Sequence, residues 1–335
     1  MDYVIIGSGI AGMTAAKTIR EHDPDSEITL YTYEFHPVGC YARKDLARRL
    51  MTELVEPDVL LIDREALLAK QGIHVEYEEV VRVAPHLRQV LFPHYARKPY
   101  DRLLIASGAT PRLVDAPGLH FIGVHQLRNY EDASLIEAWM PQLRQVGAVV
   151  IGGGILGIDA AYMLNRRGVP TTLIAREKRL GAPSLSETDA ALSAERLRDE
   201  GIEVILNDTL AAYLSEDDRV LDGVRLGSGR ILSARMALCA VGVRPTTDFL
   251  NESGITLDSE TGGVVVNHAM QTHFEDVYAA GNCALVDGYI AGNWEQSAIQ
   301  GKVAGLNMVG QTAHFTPPTS ESVVPLVLEG VAQPS

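Results

Sequence analysis

The sequence predicts an α/β protein whose two nucleotide-binding units each carry a central parallel sheet. Three observations lead there. An apolar run, a glycine-rich turn and a stretch of helix formers follow one another near the N-terminus, and the same order recurs from Ala148. Both turns have the spacing Gly-x-Gly-x-x-Gly, as Gly7, Gly9, Gly12 and as Gly152, Gly154, Gly157. The chain of 335 residues, 46% hydrophobic and 21% charged, is long enough for two or three packed domains of ordinary globular composition.

Tyr3 to Ile6 reads as the first strand, Met13 to Arg20 as its helix, and Asp23-Pro24-Asp25 as the break before a second strand, Glu27 to Tyr31. Tyr100 to Ala109 is a further apolar strand ending in small residues, which suits a backbone passing close to a ligand. The second unit repeats the plan with Ala148 to Ile151, a helix to Arg167-Gly168, and the strand Pro170 to Ile174. Met236 to Val241 closes it. Gly242 to Pro245 then leads to Val264-Val265-Val266, to Val277 to Asn282, and to a helix over Trp294 to Met308. From Gly310 the pattern weakens, and an extended or loosely ordered tail is expected.

The formal charge of −14 argues against broad contact with nucleic acid or anionic membrane, since both need a surplus of Lys and Arg. No run approaches a membrane span, and the N-terminus enters an apolar strand directly, so the expectation is a cytoplasmic protein. Cys40, Cys239 and Cys283 are far apart and form neither a disulfide framework nor a zinc site. The ten histidines are scattered without ligand spacing, and no metal is expected.

In each turn the first glycine permits the tight bend, the second lets the backbone approach a pyrophosphate, and the third lets helix and strand pack closely. The helix N-terminus then meets the phosphates with unpaired N–H groups and a partial positive charge. An acid for the ribose belongs at the end of the second strand. That place is Thr32, and Glu34 follows two residues on, either as the ribose ligand or as a solvated loop charge. At the equivalent place in the second unit, Arg176 and Arg179 favour the 2′-phosphate of NADP, while Glu177 between them favours NAD.

The two fingerprints, the run Ile105 to Arg112, the run Val241 to Pro245 and the run Tyr278 to Asn282 occur in the order of a known family. The chain resembles the FAD-dependent pyridine nucleotide-disulfide oxidoreductases over roughly residues 1 to 310. Within them, Tyr41 to Leu46 is similar to the Tyr-x-Arg-x-x-Leu segment of rubredoxin and ferredoxin reductases and of the N-terminal part of nitrite reductases. The resemblance implies a glutathione-reductase-like fold of two Rossmann-like domains. It places an FAD-binding domain at 1–112 and 243–310, an NAD(P)-binding domain at 113–242, and a tail at 311–335 that is a remnant of the family's interface domain. It implies that Gly7, Gly9 and Gly12 hold FAD, with Val80 near the adenine and Arg43, Ser107 and Gly108 along the flavin nucleotide. Gly152, Gly154 and Gly157 would hold NAD(P)H, and Trp294 with Gln300-Gly301 would lie near the isoalloxazine.

Four departures stand out. Asn282 replaces the family's Asp at the ribityl chain, and can still accept one hydrogen bond while donating another. Asp159 replaces a Glu beside the nicotinamide, on a shorter arm. Ala47 and Arg48 replace a Ser-Lys pair. The interface domain is reduced to a short tail in which Ser322 to Gly330 resembles its first strand.

The expected function is transfer of electrons from NAD(P)H through FAD to a small, acidic, rubredoxin- or ferredoxin-like carrier. The basic cluster Arg43, Lys44, Arg48 and Arg49 is the expected dock, the alternative being a solvated helix face. Asp159 and Trp294 would frame the nicotinamide. A second reading is a peroxidase, oxidase or coenzyme A-disulfide reductase working through Cys40, whose basic neighbours favour a thiolate. A third is a flavoprotein subunit or redox-sensing scaffold whose interface domain a partner supplies.

Overall fold

The computed structural model describes residues 1–33, 39–41, 61–319 and 325–328. Glu34, Arg43, Lys44, Arg48 and Arg49 lie outside the described residues, and Cys40 is described by its main chain alone. Contacts divide the described chain into two compact units. One takes in the described residues up to Thr110 together with Arg244–Thr319, and the other Pro111–Val243 together with residues 325–328.

The first unit begins with β1 (Asp2–Ile6), α1 (Ile10–His22), β2 (Glu27–Tyr31), β3 (Ile73–Glu76) and β4 (Arg102–Ile105). The second unit follows with β5 (Val124–His125), α2 (Tyr130–Val146), β6 (Ala148–Ile151), α3 (Ile155–Arg166), β7 (Thr171–Ala175), α4 (Glu187–Asp199), β8 (Glu203–Leu206) and β9 (Met236–Cys239). The chain then returns to the first unit for β10 (Val277–Ala279) and α5 (Trp294–Met308). The sheets have the orders β10-β4-β1-β2-β3 and β5-β9-β6-β7-β8. Every pair in both sheets is parallel. Strands covered on both faces need no polar side, which explains runs such as Val4-Ile5-Ile6 and Val149-Val150-Ile151, all buried.

In each sheet the strand that ends in the glycine turn is central. From β1 the chain runs outward through β2 and β3 on one side and returns to β4 and β10 on the other. From β6 it runs through β7 and β8 and returns to β9. Each glycine turn therefore sits where the strand order reverses, the place at which an open α/β sheet leaves a crevice for a ligand. Small antiparallel sheets complete the units: Arg82–Ala84, Gln89–Leu91 and Arg97–Pro99 in the first, and Leu210–Leu214, Gly223–Leu226 and Ile231–Ser233 in the second. No helix among the described residues is long and apolar enough to cross a membrane.

The end of the chain departs from expectation. Residues 311–319 are irregular but anchored: Phe315 is buried, its N–H donates to His268 O at 2.7 Å, and its carbonyl accepts from His268 Nδ1 at 2.8 Å. The described part of the segment expected as a strand, 325–328, is a 3₁₀ turn that packs on α3 and α4 of the second unit. With no neighbouring strand among the described residues, its backbone closes locally instead, through Leu328 N–H to Pro325 O at 2.9 Å.

One buried carboxylate ties β4 to the approach to β10. Asp276 pairs with both Arg102 and Arg88, and its own carbonyl accepts from Leu103 N–H at 2.9 Å. Removing one partner of such a cluster costs more than the cluster adds, because Arg102 is left mostly buried with no counter-charge. Asp276→Ala is expected to lower stability by about 2–4 kcal/mol, read as a fall in denaturation midpoint, and Asp276→Asn by less.

Candidate functional site

The two glycine turns are nearly superimposable in their logic. Gly7 has φ +108° and Gly152 φ +120°, left-handed values that leave the strand in a bend other residues reach only under strain. The bends are also crowded. A Cβ on Gly7 would fall 2.2 Å from Ala106 O, and one on Gly152 would fall 2.4 Å from Ala240 O. On Gly12 it would fall 2.0 Å from Gly7 O, and on Gly157 1.8 Å from Gly152 O. The first and third glycines are thus required by the protein's own packing.

The middle glycines are different. Among the described residues, leaving aside their own chain neighbours, neither Gly9 nor Gly154 would bring a Cβ within 4 Å of another atom. Their φ values of −68° and −73° are open to any residue. Nothing among the described residues asks for glycine at either place, which suits a ligand that approaches the backbone closely.

The helices that start at these glycines carry a second signature. Gly9 and Gly154 are the N-caps of α1 and α3, with no side-chain cap and no acid in the first turn. The other three helices longer than one or two turns among the described residues are all capped. Asn129 caps α2, Ser186 caps α4 and Asn293 caps α5, each with one or two acids in its first turn. An uncapped, acid-free start leaves N–H groups and a partial positive charge for an anion. Both turns fit the pyrophosphate of a dinucleotide.

In the first unit the small-residue end of β4 is held by its own polar groups. Ser107 Oγ donates to Thr246 O at 2.7 Å, Thr246 N–H donates to Gly108 O at 3.0 Å, and Thr110 and Thr246 hydroxyls lie 2.8 Å apart. Val80 is buried in the core. Asn282 turns Oδ1 toward the Ser297 hydroxyl at 3.4 Å, at the foot of α5. Trp294 opens α5 and packs partly against the core. Gln300, fully buried, accepts from Gly281 N–H at 2.8 Å through Oε1, while its Nε2 has no hydrogen-bond partner among the described residues. A buried amide N–H₂ without an acceptor suits a polar ligand, and these residues fit the FAD that the resemblance implies.

The cysteines divide clearly. Cys283 is fully buried, donates toward Ile105 O and Ala280 O at 3.4 Å each, and burial pushes its thiol up, away from the thiolate that chemistry would need. Cys239 is buried 3.3 Å from the Tyr213 hydroxyl in the second core. The Cys40 main chain pairs with Asp63 in a short antiparallel ladder, Gly39–Tyr41 with Leu61–Arg64.

In the second unit, Arg176 follows β7 and is exposed, with Nε 2.7 Å from Glu177 Oε1. Arg179 instead donates to Leu185 O at 2.6 Å. The two arginines are therefore not equivalent: Arg179 serves the loop before α4, and only Arg176 stands at the strand end with its guanidinium largely in solvent. Asp159 projects from α3 two residues after Gly157, and its Oδ1 accepts from Leu326 N–H at 2.7 Å. Leu326 and the turn it belongs to escaped the sequence reading, because a main-chain donor distant in sequence leaves no residue-type signal.

The protein-family model described as pyridine nucleotide-disulphide oxidoreductase matches residues 1–305. The chain is 31% identical to the NAD(P)H nitrite reductase of Bacillus subtilis over 304 residues, covering 89% of this chain and 37% of that protein. It is 25% identical to the rubredoxin-NAD(+) reductase of Acinetobacter baylyi, covering 93% of this chain and 79% of that one. A ferredoxin reductase from Rhodopseudomonas palustris has a similar fold, with a TM-score of 0.88 at 22% identity over 94% of this chain and 78% of that one. The chain thus spans well under half the length of the nitrite reductase it matches. It belongs to the pyridine nucleotide-disulphide oxidoreductase family, and its cofactors are FAD and NAD(P)H.

Proposed function

We propose that this chain is an NAD(P)H-dependent flavin reductase that delivers electrons to a small redox carrier protein of rubredoxin or ferredoxin type. The observation that carries the reading is the pair of uncapped, acid-free helix starts, each at a glycine that no described residue crowds. When bound, FAD accepts a hydride from NAD(P)H and can release electrons singly, which is what an iron-sulfur carrier needs.

The chain's own contribution is position. Gly7, Gly9 and Gly12 would hold the FAD pyrophosphate on the start of α1, and Gly152, Gly154 and Gly157 that of NAD(P)H on the start of α3. Asn282 and Gln300 would present hydrogen-bonding groups to FAD from the foot and the buried face of α5. Asp159 would orient the nicotinamide carboxamide. Arg176, able to leave Glu177 for a 2′-phosphate, would accept NADPH as well as NADH. The relative from Acinetobacter baylyi supports a carrier as acceptor, and the basic residues Arg43, Lys44, Arg48 and Arg49 supply the charge such an acidic partner would meet.

Stopped-flow mixing of the FAD-loaded protein with NADH and with NADPH, followed by carrier, oxygen or peroxide, tests donor and acceptor together. Fast carrier reduction is expected; fast peroxide turnover without it would favour the Cys40 reading. Arg48→Glu with Arg49→Glu is expected to lower carrier reduction about tenfold or more at low salt while leaving NAD(P)H-to-dye activity within twofold, roughly the size of effect that charged docking patches have. Equal loss of both activities would remove the dock. Cys40→Ser is expected to keep full carrier turnover.

The middle glycines separate binding from folding. Gly9→Ala and Gly154→Ala are expected to leave the melting temperature of the ligand-free chain unchanged or slightly raised, since the new methyl touches nothing among the described residues. They should weaken FAD and NAD(P)H respectively, each by roughly tenfold or more, as read by retained flavin and by nucleotide titration. Gly12→Ala and Gly157→Ala should instead destabilise the unit outright.

A further inference from the structure

The chain between β7 and α4 folds back onto the second glycine turn. Leu180, Gly181 and Leu185 are buried there, while Ala182, Pro183 and Ser184 between them are exposed. Gly181 is bent to φ +65°, and Leu185 covers it so closely that a Cβ on Gly181 would fall 2.3 Å from Leu185 Cγ. Three hydrogen bonds fasten this loop. Leu185 N–H donates to Gly181 O at 2.8 Å, Arg179 Nη1 donates to Leu185 O at 2.6 Å, and Gly181 N–H donates to Gly153 O at 2.6 Å.

The last of these reaches into the fingerprint itself. Gly153 is buried, and a Cβ on it would fall 2.6 Å from Ala175 Cβ and 3.1 Å from Leu180 Cδ2, so the loop packs against the fingerprint as well as bonding to it. The carbonyl of Gly153 shares a trans peptide with the N–H of Gly154, the N-cap of α3. In such a peptide the two groups point in opposite directions. Holding the carbonyl on Gly181 therefore turns the Gly154 N–H away from the loop and fixes it there.

We propose that the loop 179–185 is a clasp on the nucleotide fingerprint, and that Arg179 is a positioning residue for the pyrophosphate of NAD(H) and NADP(H) alike rather than a ligand of the 2′-phosphate. The proposal rests on the reading of Gly152, Gly154 and Gly157 given above. Its physical content is preorganisation. Gly152, Gly153 and Gly154 are consecutive, and glycine has more backbone freedom to lose than any other residue. A clasp that removes this freedom before the nucleotide arrives lowers the cost of binding. Arg179 closes the clasp through a charge-assisted bond to the residue that covers Gly181. Two arginines alike in sequence thus divide the work: Arg176 would answer to the 2′-phosphate, and Arg179 to the grip common to both nucleotides.

The test titrates NAD+, NADP+ and ADP-ribose calorimetrically into the full FAD-loaded chain, with retained flavin and melting temperature recorded beside each titration. Arg179→Met keeps the apolar stem and deletes the guanidinium. It is expected to raise all three dissociation constants about fivefold, the size of one hydrogen bond, with their ratios held within about twofold. Arg176→Ala should instead weaken NADP+ alone, by about tenfold. Gly181→Ala, which drives a methyl into Leu185, should reproduce the uniform loss, and joining it to Arg179→Met should add nothing further. Flavin retention should not change in any of them.

Loss confined to NADP+ in Arg179→Met would make Arg179 a phosphate ligand and overturn the proposal. Unchanged affinity for all three ligands would overturn it equally, as would multiplying effects of Arg179→Met and Gly181→Ala. Full affinity in Gly154→Ala would remove the reading of the fingerprint and the proposal with it; weakened binding in Gly154→Ala beside full affinity in Arg179→Met would remove the clasp alone. Should one of the two clasp variants fail to fold, the other decides, and undiminished affinity in it overturns the proposal.

Discussion

Both units depend on how closely a helix approaches the strand that feeds it. The third glycine of each fingerprint lies so near the first that a single methyl group could not be placed between them. That contact brings the start of α1 to the end of β1 and the start of α3 to the end of β6. Any larger residue would swing the helix away from its sheet and turn its N–H groups off the crevice. Strand order, helix direction and anion affinity are in this sense one constraint seen at three scales.

The electrostatics follow from the same arrangement. A chain of net charge −14 has acids to spare, and it places them in the first turns of α2, α4 and α5, where they satisfy helix starts internally. The two starts at the glycine turns receive none. The absence of acids there is more informative than their presence elsewhere, since a carboxylate in either first turn would repel the phosphates the turn is shaped to hold. The basic strand end at Arg176 is tempered by its neighbour Glu177.

The C-terminal residues show how distant chain is fastened within each unit. Phe315 is fastened in the first unit by reciprocal main-chain and side-chain bonds with His268, while Pro325 to Leu328 are fastened in the second. Apolar burial supplies the anchoring in both cases, and the polar bond at each place is what the anchoring delivers.

The sequence by itself determined the fold class, the two fingerprints, the order of the main strands and the helix over Trp294 to Met308. Each of these rests on short-range pattern: apolar runs, glycines at fixed offsets, and helix formers between breakers. Pattern also placed Cys239 inside an apolar run, and the structure buries it. It could not tell that Arg179 is spent on a loop carbonyl while Arg176 is not, because the two are alike in type and differ only in what lies within reach. It read a strand where the chain makes a 3₁₀ turn, because strand formation needs a partner edge, and a partner is a property of the folded chain. The tertiary structure alone decided that the middle glycines answer to no atom among the described residues and that Leu326 meets Asp159. Both are distances between residues far apart in the chain, and hydrogen bonds and steric contacts act over a few ångströms of space whatever the separation in sequence.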